Sequence, residues 1–163
     1  MNLLSCKTNR DLSTVEEVNL AKYAGQWYEI ARLPNKFEKG LKCVTATYTL
    51  KKNGKIEVFN KGFSTEKKGE AISAKGTAWI PNPEFQGRLK VSFFWPFAGN
   101  YYIISLDEYY NYVLVGDPSR KYLWILSRTK KLDDTIYSKL LDIGRQNGFK
   151  VDDVIKVDQD CEQ

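Results

Sequence analysis

Val44-Thr45-Ala46-Thr47-Tyr48-Thr49-Leu50 and Ile56-Glu57-Val58-Phe59-Asn60 are two runs of alternating polarity, separated by Lys51-Lys52-Asn53-Gly54-Lys55. A period of two sends one face of each run inward. Asn53-Gly54 supplies the positive backbone angles of a tight hairpin, so the pair predicts two adjacent antiparallel strands. Outward from this hairpin the pattern recurs in eight runs, near residues 25 to 32, 43 to 51, 55 to 63, 70 to 80, 88 to 94, 100 to 107, 111 to 117 and 122 to 128. Asp117-Pro118 opens the turn between the seventh and eighth. Short strands at such spacing predict an all-β antiparallel barrel or sandwich. Ten Tyr, eight Phe and four Trp in β-branched company agree with strands over helices.

Two segments break the pattern. Leu33 to Lys42 is a longer connection that could fold over one end of the sheet. Beyond the last run, Asp133 can cap a helix in which Ile136, Leu140 and Ile143 recur at helical spacing, and Gly148 suits its end. This α-helix must pack outside the sheet. A final short strand near residues 153 to 157 leads to Cys161.

Composition excludes more than it selects. The chain has 163 residues, one domain of ordinary size, with 42% hydrophobic and 28% charged residues, both globular values. No segment approaches the ~18 uninterrupted apolar residues of a spanning helix. With no His, Ser-His-Asp and Cys-His nucleophiles and His-ligated zinc or haem are excluded, and three Cys cannot make a four-thiolate zinc site. No phosphate-cradling glycine motif is present. These absences predict a non-enzyme with neither metal nor cofactor. The net charge of +5 is spread over short clusters, Lys51-Lys52, Lys67-Lys68 and Lys130-Lys131, which read as loop tips and not as a nucleic-acid surface. A mildly basic surface would also suit the neighbourhood of anionic lipid.

Leu3-Leu4-Ser5-Cys6 looks like the end of a bacterial lipoprotein signal, in which the Cys becomes lipidated. A secretory signal needs about 7 to 15 apolar residues, so with five residues before Cys6 this reading requires a signal remnant. The other reading is an incidental Cys. Lys7 stands where an inner-membrane retention Asp would sit in the best-known bacterial system, which favours the outer membrane. Residues 1 to 18 are thus expected to be signal remnant and tether, and residues 19 to 163 the domain. In an exported chain Cys43 and Cys161 remain as a possible disulfide pair. Their spacing does not separate a bond from two free thiols.

Gly25-Gln26-Trp27-Tyr28-Glu29, followed by Ile30-Ala31-Arg32, resembles the Gly-x-Trp signature that opens the first strand of lipocalins. Tyr122-Leu123-Trp124-Ile125-Leu126-Ser127-Arg128 resembles the family's last barrel strand, ending in the Arg that packs over that Trp. Val44 to Tyr48, Lys61-Gly62 and Leu89 to Phe94 are similar to the bacterial outer-membrane lipocalins and to apolipoprotein D. Asp107-Glu108-Tyr109-Tyr110-Asn111-Tyr112 departs from the family's usual Thr-Asp-Tyr at the hairpin between strands six and seven.

The resemblance implies an eight-stranded antiparallel up-and-down β-barrel with one C-terminal helix outside. Gly25, Trp27 and Arg128 would close one end through a cation-π contact. The Cys contexts support a Cys43 to Cys161 bond. The implied function is carriage of a fatty acid or lysophospholipid by a monomer or homodimer. The implied place is the bacterial envelope, as an outer-membrane lipoprotein facing the periplasm and held there by lipidated Cys6.

Inward phase then selects the cavity wall: Ala46 and Tyr48, Ile56, Val58 and Asn60, Ala74, Gly76 and Ala78, Val91 and Phe93, Tyr101 and Ile103, Val113 and Val115, Trp124 and Leu126. The expected ligand contacts are Ala46, Tyr48, Val58, Asn60, Ala78, Val91, Phe93, Tyr101, Val115 and Trp124. Trp124 and Tyr48 are strongest, because their positions match ligand-contacting aromatics in apolipoprotein D, and Asn60 matches a polar contact there that could orient a carbonyl or hydroxyl. Glu29 shares the inward phase of Trp27 and needs a hydrogen-bond partner, expected near the closed end. Arg32, Lys36 and Lys39 are expected as a basic rim at the open mouth. Two alternatives are a lipocalin-type enzyme using Glu29 or Tyr hydroxyls, and a filled barrel serving as an interaction protein.

Overall fold

A computed structural model describes residues 11 to 161. In chain order the elements are α1 (Leu20–Tyr23), β1 (Gly25–Arg32), β2 (Leu41–Leu50), β3 (Ile56–Ser64), β4 (Ala71–Trp79), β5 (Arg88–Phe94) and β6 (Phe97–Leu106). β7 (Tyr112–Gly116), β8 (Leu123–Ser127), α2 (Asp134–Gln146), a 3-10 turn (Val151–Asp153) and β9 (Ile155–Lys156) complete it. The eight expected runs are the eight barrel strands.

Each strand pairs antiparallel with its sequence neighbour from β2 to β8, and β1 bonds both β8 and β2, which shuts the ring. The hairpin read first from the sequence forms with register Leu41↔Ser64 to Leu50↔Ile56. Its turn differs in one detail. Gly54 alone is left-handed, at φ +80°, because the Gly54 N–H already reaches the Lys51 carbonyl at 3.0 Å. The Asn53 side chain instead accepts the Lys55 N–H at 3.0 Å.

Two irregularities steer the chain. β1 shifts register between Glu29 and Ala31, beyond which β9 pairs with Ala31 and Arg32. β2 shifts between Lys42 and Thr45, where Cys43 takes φ +50° and gives its N–H to the Asp158 carbonyl at 2.7 Å. The bulge carries Cys43 to the C-terminal tail, where it is bonded to Cys161 across 118 residues.

Apolar residues gather in two places. Inside the barrel lie Trp27, Tyr48, Ile56, Val58, Leu89, Ile103, Val113 and Val115; between barrel and α2 lie Ile30, Leu114, Leu123, Ile125, Leu140 and Phe149. The helix starts where predicted, since the Asp133 carboxylate accepts the Thr135 and Ile136 N–H groups. Gly148, at φ +88°, follows its end.

Part of the segment expected as a tether packs on the barrel. Leu12 is fully buried beneath α2, the Val15 N–H reaches the Ile103 carbonyl at 2.9 Å, and Val18 joins the barrel core. Polar residues between these apolar ones hid the packing. The lipidation expected at Cys6 lies outside the described residues. Among the described residues no helix is long and apolar enough to cross a membrane.

Candidate functional site

The closed end is built first, because it sets the floor of the cavity. The Arg128 guanidinium lies 3.8 Å from the Trp27 ring centre, and its nitrogens donate to the carbonyls of Lys22, Tyr23, Ala24, Gln26 and Tyr110. Gly25 takes φ +98°, and a Cβ there would stand 3.2 Å from an Arg128 nitrogen. The unusual 107 to 112 hairpin still turns. The Asp107 carboxylate accepts the Asn111 N–H, Tyr110 takes φ +60°, and the Asn111 carbonyl holds the Arg128 N–H.

Trp27 Nε1 donates to the Tyr23 carbonyl at 2.8 Å, fixing α1 beneath the barrel. The Tyr23 side chain then rises into the interior, where its hydroxyl lies 2.6 Å from that of Tyr101, which lies 2.9 Å from that of Tyr48. Burial raises all three phenols above their ordinary range, so the floor presents neutral hydroxyls.

Above this floor is an apolar cavity in which the centre of a water-sized sphere can move through about 110 Å³. Ala46, Tyr48, Val58, Asn60, Ala78, Val91, Phe93, Tyr101 and Trp124 line it together, nine of the ten expected contacts. Val115 is placed differently: it is fully buried among Ile103 and Val113 in the barrel core and does not border the void. The small residues of β4 also behave differently from expectation. Ala78 lines the cavity, but Ala74 is exposed, because β4 pairs with β5 only from Thr77 to Trp79, and Gly76 lies against the Phe93 ring. Asn60 Oδ1 is buried and accepts no hydrogen bond, which leaves an acceptor on the wall.

The polar mouth departs most from expectation. Arg32 is 4% exposed and no part of a basic rim: its Nη1 donates to Glu29 Oε1 at 2.9 Å, and its Nη2 donates to the Glu38 and Leu41 carbonyls. The partner of Glu29 is thus three residues along its own strand, toward the open end and not the closed one. Sequence reasoning missed Glu38 altogether. The connection from Leu33 folds back because the Asn35 side chain accepts the Phe37 and Glu38 N–H groups. Glu38 Oε2 then receives Trp124 Nε1 at 2.9 Å and Asn35 Nδ2 at 2.8 Å. Burial, and next the adjacent Glu38 carboxyl, push Glu29 well above the usual glutamate range, outweighing Arg32. Among the described residues no group of three or more His, Cys, Asp or Glu side chains could hold a metal.

A stacked Trp and Arg closing an eight-stranded ring over an internal cavity is the arrangement the signature residues implied. The lipocalin-like domain family matches residues 18 to 159. The chain belongs to the lipocalin family. This lipocalin is 44% identical to the outer membrane lipoprotein Blc of Vibrio cholerae over 146 residues, covering 89% of the chain and 85% of that relative. It is 34% identical to bovine apolipoprotein D, over 88% and 78% of the two chains. Among solved structures, insecticyanin of the tobacco hornworm superposes with a TM-score of 0.73 at 25% identity, over 91% of the lipocalin and 84% of that chain.

Proposed function

We propose that this lipocalin carries single-tailed lipids in the bacterial cell envelope, lysophospholipids before fatty acids, and releases them chemically unchanged. The carrying observation is the apolar cavity inside the ring, lined from Tyr23 at the floor to Glu29 and Glu38 toward the end whose β1–β2 connection bears exposed Lys36 and Lys39. Each buried methylene is worth about 0.8 kcal/mol, so a tail placing about ten in the cavity gains on the order of 8 kcal/mol before ordering costs. Apolar area alone supports micromolar binding.

The mouth argues for the head group. Glu29 and Glu38 bring two carboxyl groups to it, and farther down the wall Asn60 Oδ1 is an acceptor with no hydrogen bond. A glycerol hydroxyl can donate to them, while a fatty-acid carboxylate adds another acceptor beside two acids. The phosphate of a lysophospholipid would then reach Lys36 and Lys39, both exposed on the connection that carries Glu38. In support of the envelope reading, relatives are named outer membrane lipoproteins, and Cys6 follows a lipoprotein-like Leu3-Leu4-Ser5. On this reading a lipid on Cys6 holds the barrel to the outer membrane, facing the periplasm.

Titration of the purified protein with lysophosphatidylethanolamine and with oleate tests the reading by tryptophan fluorescence. Saturable changes are expected for both, with the lysolipid about tenfold tighter, and mass spectrometry should recover each ligand intact. The absence of any saturable change would end the carrier reading. Oleate binding more tightly would reverse the head-group assignment, and a converted ligand would make the protein an enzyme.

A further inference from the structure

We propose that the open end of the barrel is itself a docking surface for an anionic lipid bilayer, separate from any covalent lipid on Cys6. In an up-and-down ring the β1–β2, β3–β4, β5–β6 and β7–β8 connections all leave the same end, here the end opposite the plug of Trp27 and Arg128. Four large aromatic side chains at this end stand in solvent, Phe37 (71% exposed) on the β1–β2 connection, Trp95 (83%) on the β5–β6 connection, and Phe94 (79%) and Phe97 (77%) at the strand ends it joins. Scattered exposed apolar residues are ordinary, but four so exposed at one end are not.

Charge selects the partner. The same connections carry Lys36, Lys39, Lys67, Lys68 and Lys121 exposed, against Glu66 and Glu70 as exposed acids. Glu38 and Asp117 are turned inward, Glu38 onto Trp124 and Asp117 onto the Ser119 and Tyr122 N–H groups. The end is therefore basic around an aromatic tip. A protein partner would need a flat or concave patch with a packed centre. Side chains so exposed fit a medium that yields around them: aromatic side chains enter the boundary between head groups and acyl chains, while lysines remain with the phosphates. Docked this way, the cavity would open into the bilayer edge, and an alkyl tail could transfer without crossing water.

The inference concerns the surface and stands apart from the carrier reading, so its test must read the two separately. The full chain, produced without an acyl group, is mixed with vesicles of pure phosphatidylcholine and with vesicles containing about a third phosphatidylglycerol. Tighter association with the anionic vesicles, by tenfold or more, is expected, with a blue shift of tryptophan emission. Trp95→Ala combined with Phe97→Ala should weaken that association at least tenfold and abolish the shift. Lys67→Glu combined with Lys68→Glu should weaken it on anionic vesicles only. Binding of a fluorescent fatty acid should be unchanged in both variants, showing an intact barrel.

Equal association of wild type and the aromatic variant would overturn the proposal, as would indifference to phosphatidylglycerol. Self-association of the free protein that disappears in the aromatic variant would overturn it in favour of a second copy on this face. Loss of fatty-acid binding in the wild type would strike the carrier reading and leave the docking result to be judged by itself.

Discussion

Arg128 and Trp27 form the plug of the barrel: the guanidinium lies 3.8 Å from the indole centre while its nitrogens take five backbone carbonyls, four from the α1–β1 segment and one from the β6–β7 turn. One side chain thereby ties the α1–β1 segment to the end of β8.

Arg128→Lys keeps the charge and loses the planar fork that reaches several acceptors at once. Stability is expected to fall by about 2–3 kcal/mol, from carbonyls left unpaired and a weakened stack. Urea denaturation followed by circular dichroism measures this; a loss within error would assign the anchoring to backbone pairing alone.

Reduction, or the Cys43→Ala and Cys161→Ala pair, releases the 118-residue closure between β2 and the tail. The expected loss is about 2–4 kcal/mol. Gln159 still ties the tail to the barrel, donating to the Glu29 and Val44 carbonyls, so the fold should persist. Denaturation with and without reductant reads the difference.

Glu29 gives the protein a pH signature. Its pKa is raised in the folded state, by burial first and Glu38 second, so folding favours the protonated acid. That contribution is complete below the ordinary glutamate value of about 4.3, and is lost as pH rises through the raised value. Glu29→Gln, which keeps an oxygen for Arg32, should therefore gain stability relative to wild type as pH rises from about 4 to 8. A stability difference that stays constant across that range would show that folding leaves the Glu29 pKa unshifted.

Ala46 faces the cavity between Trp27 and Asn60 on the neighbouring strands. Ala46→Leu would place its added carbons in the void, with a stability change under about 1.5 kcal/mol. Fatty-acid affinity should drop at least tenfold, read by tryptophan fluorescence and by competition with a fluorescent fatty acid. Undiminished affinity would move the ligand elsewhere.

The barrel wall was legible because a period of two survives in a single sequence: Ala46, Val58, Ala78, Val91 and Phe93 were found by phase alone. Phase failed where strands stop pairing. Ala74 lies where β4 has left β5, Gly76 is covered by Ser92 and the Phe93 ring, and Val115 points inward at a level already filled by Ile103 and Val113. Glu38 and Tyr23 had no period to betray them. One enters the mouth through an asparagine-capped turn, the other the floor from a four-residue helix, and both positions are decided by tertiary hydrogen bonds. Arg32 misled because its charge suggested solvent, whereas three internal oxygens accept its protons.

β1 is hydrogen-bonded along both margins, to β2 then β9 on one side and to β8 on the other. Along this seam β1 offers no unpaired margin to another copy, the usual template for amyloid-like stacking, whereas β4 from Ala71 to Lys75 keeps one where it is not paired with β5. The greasy inner face is therefore withheld at the β1 seam from the edge-to-edge addition that an open sheet ending at β1 would invite.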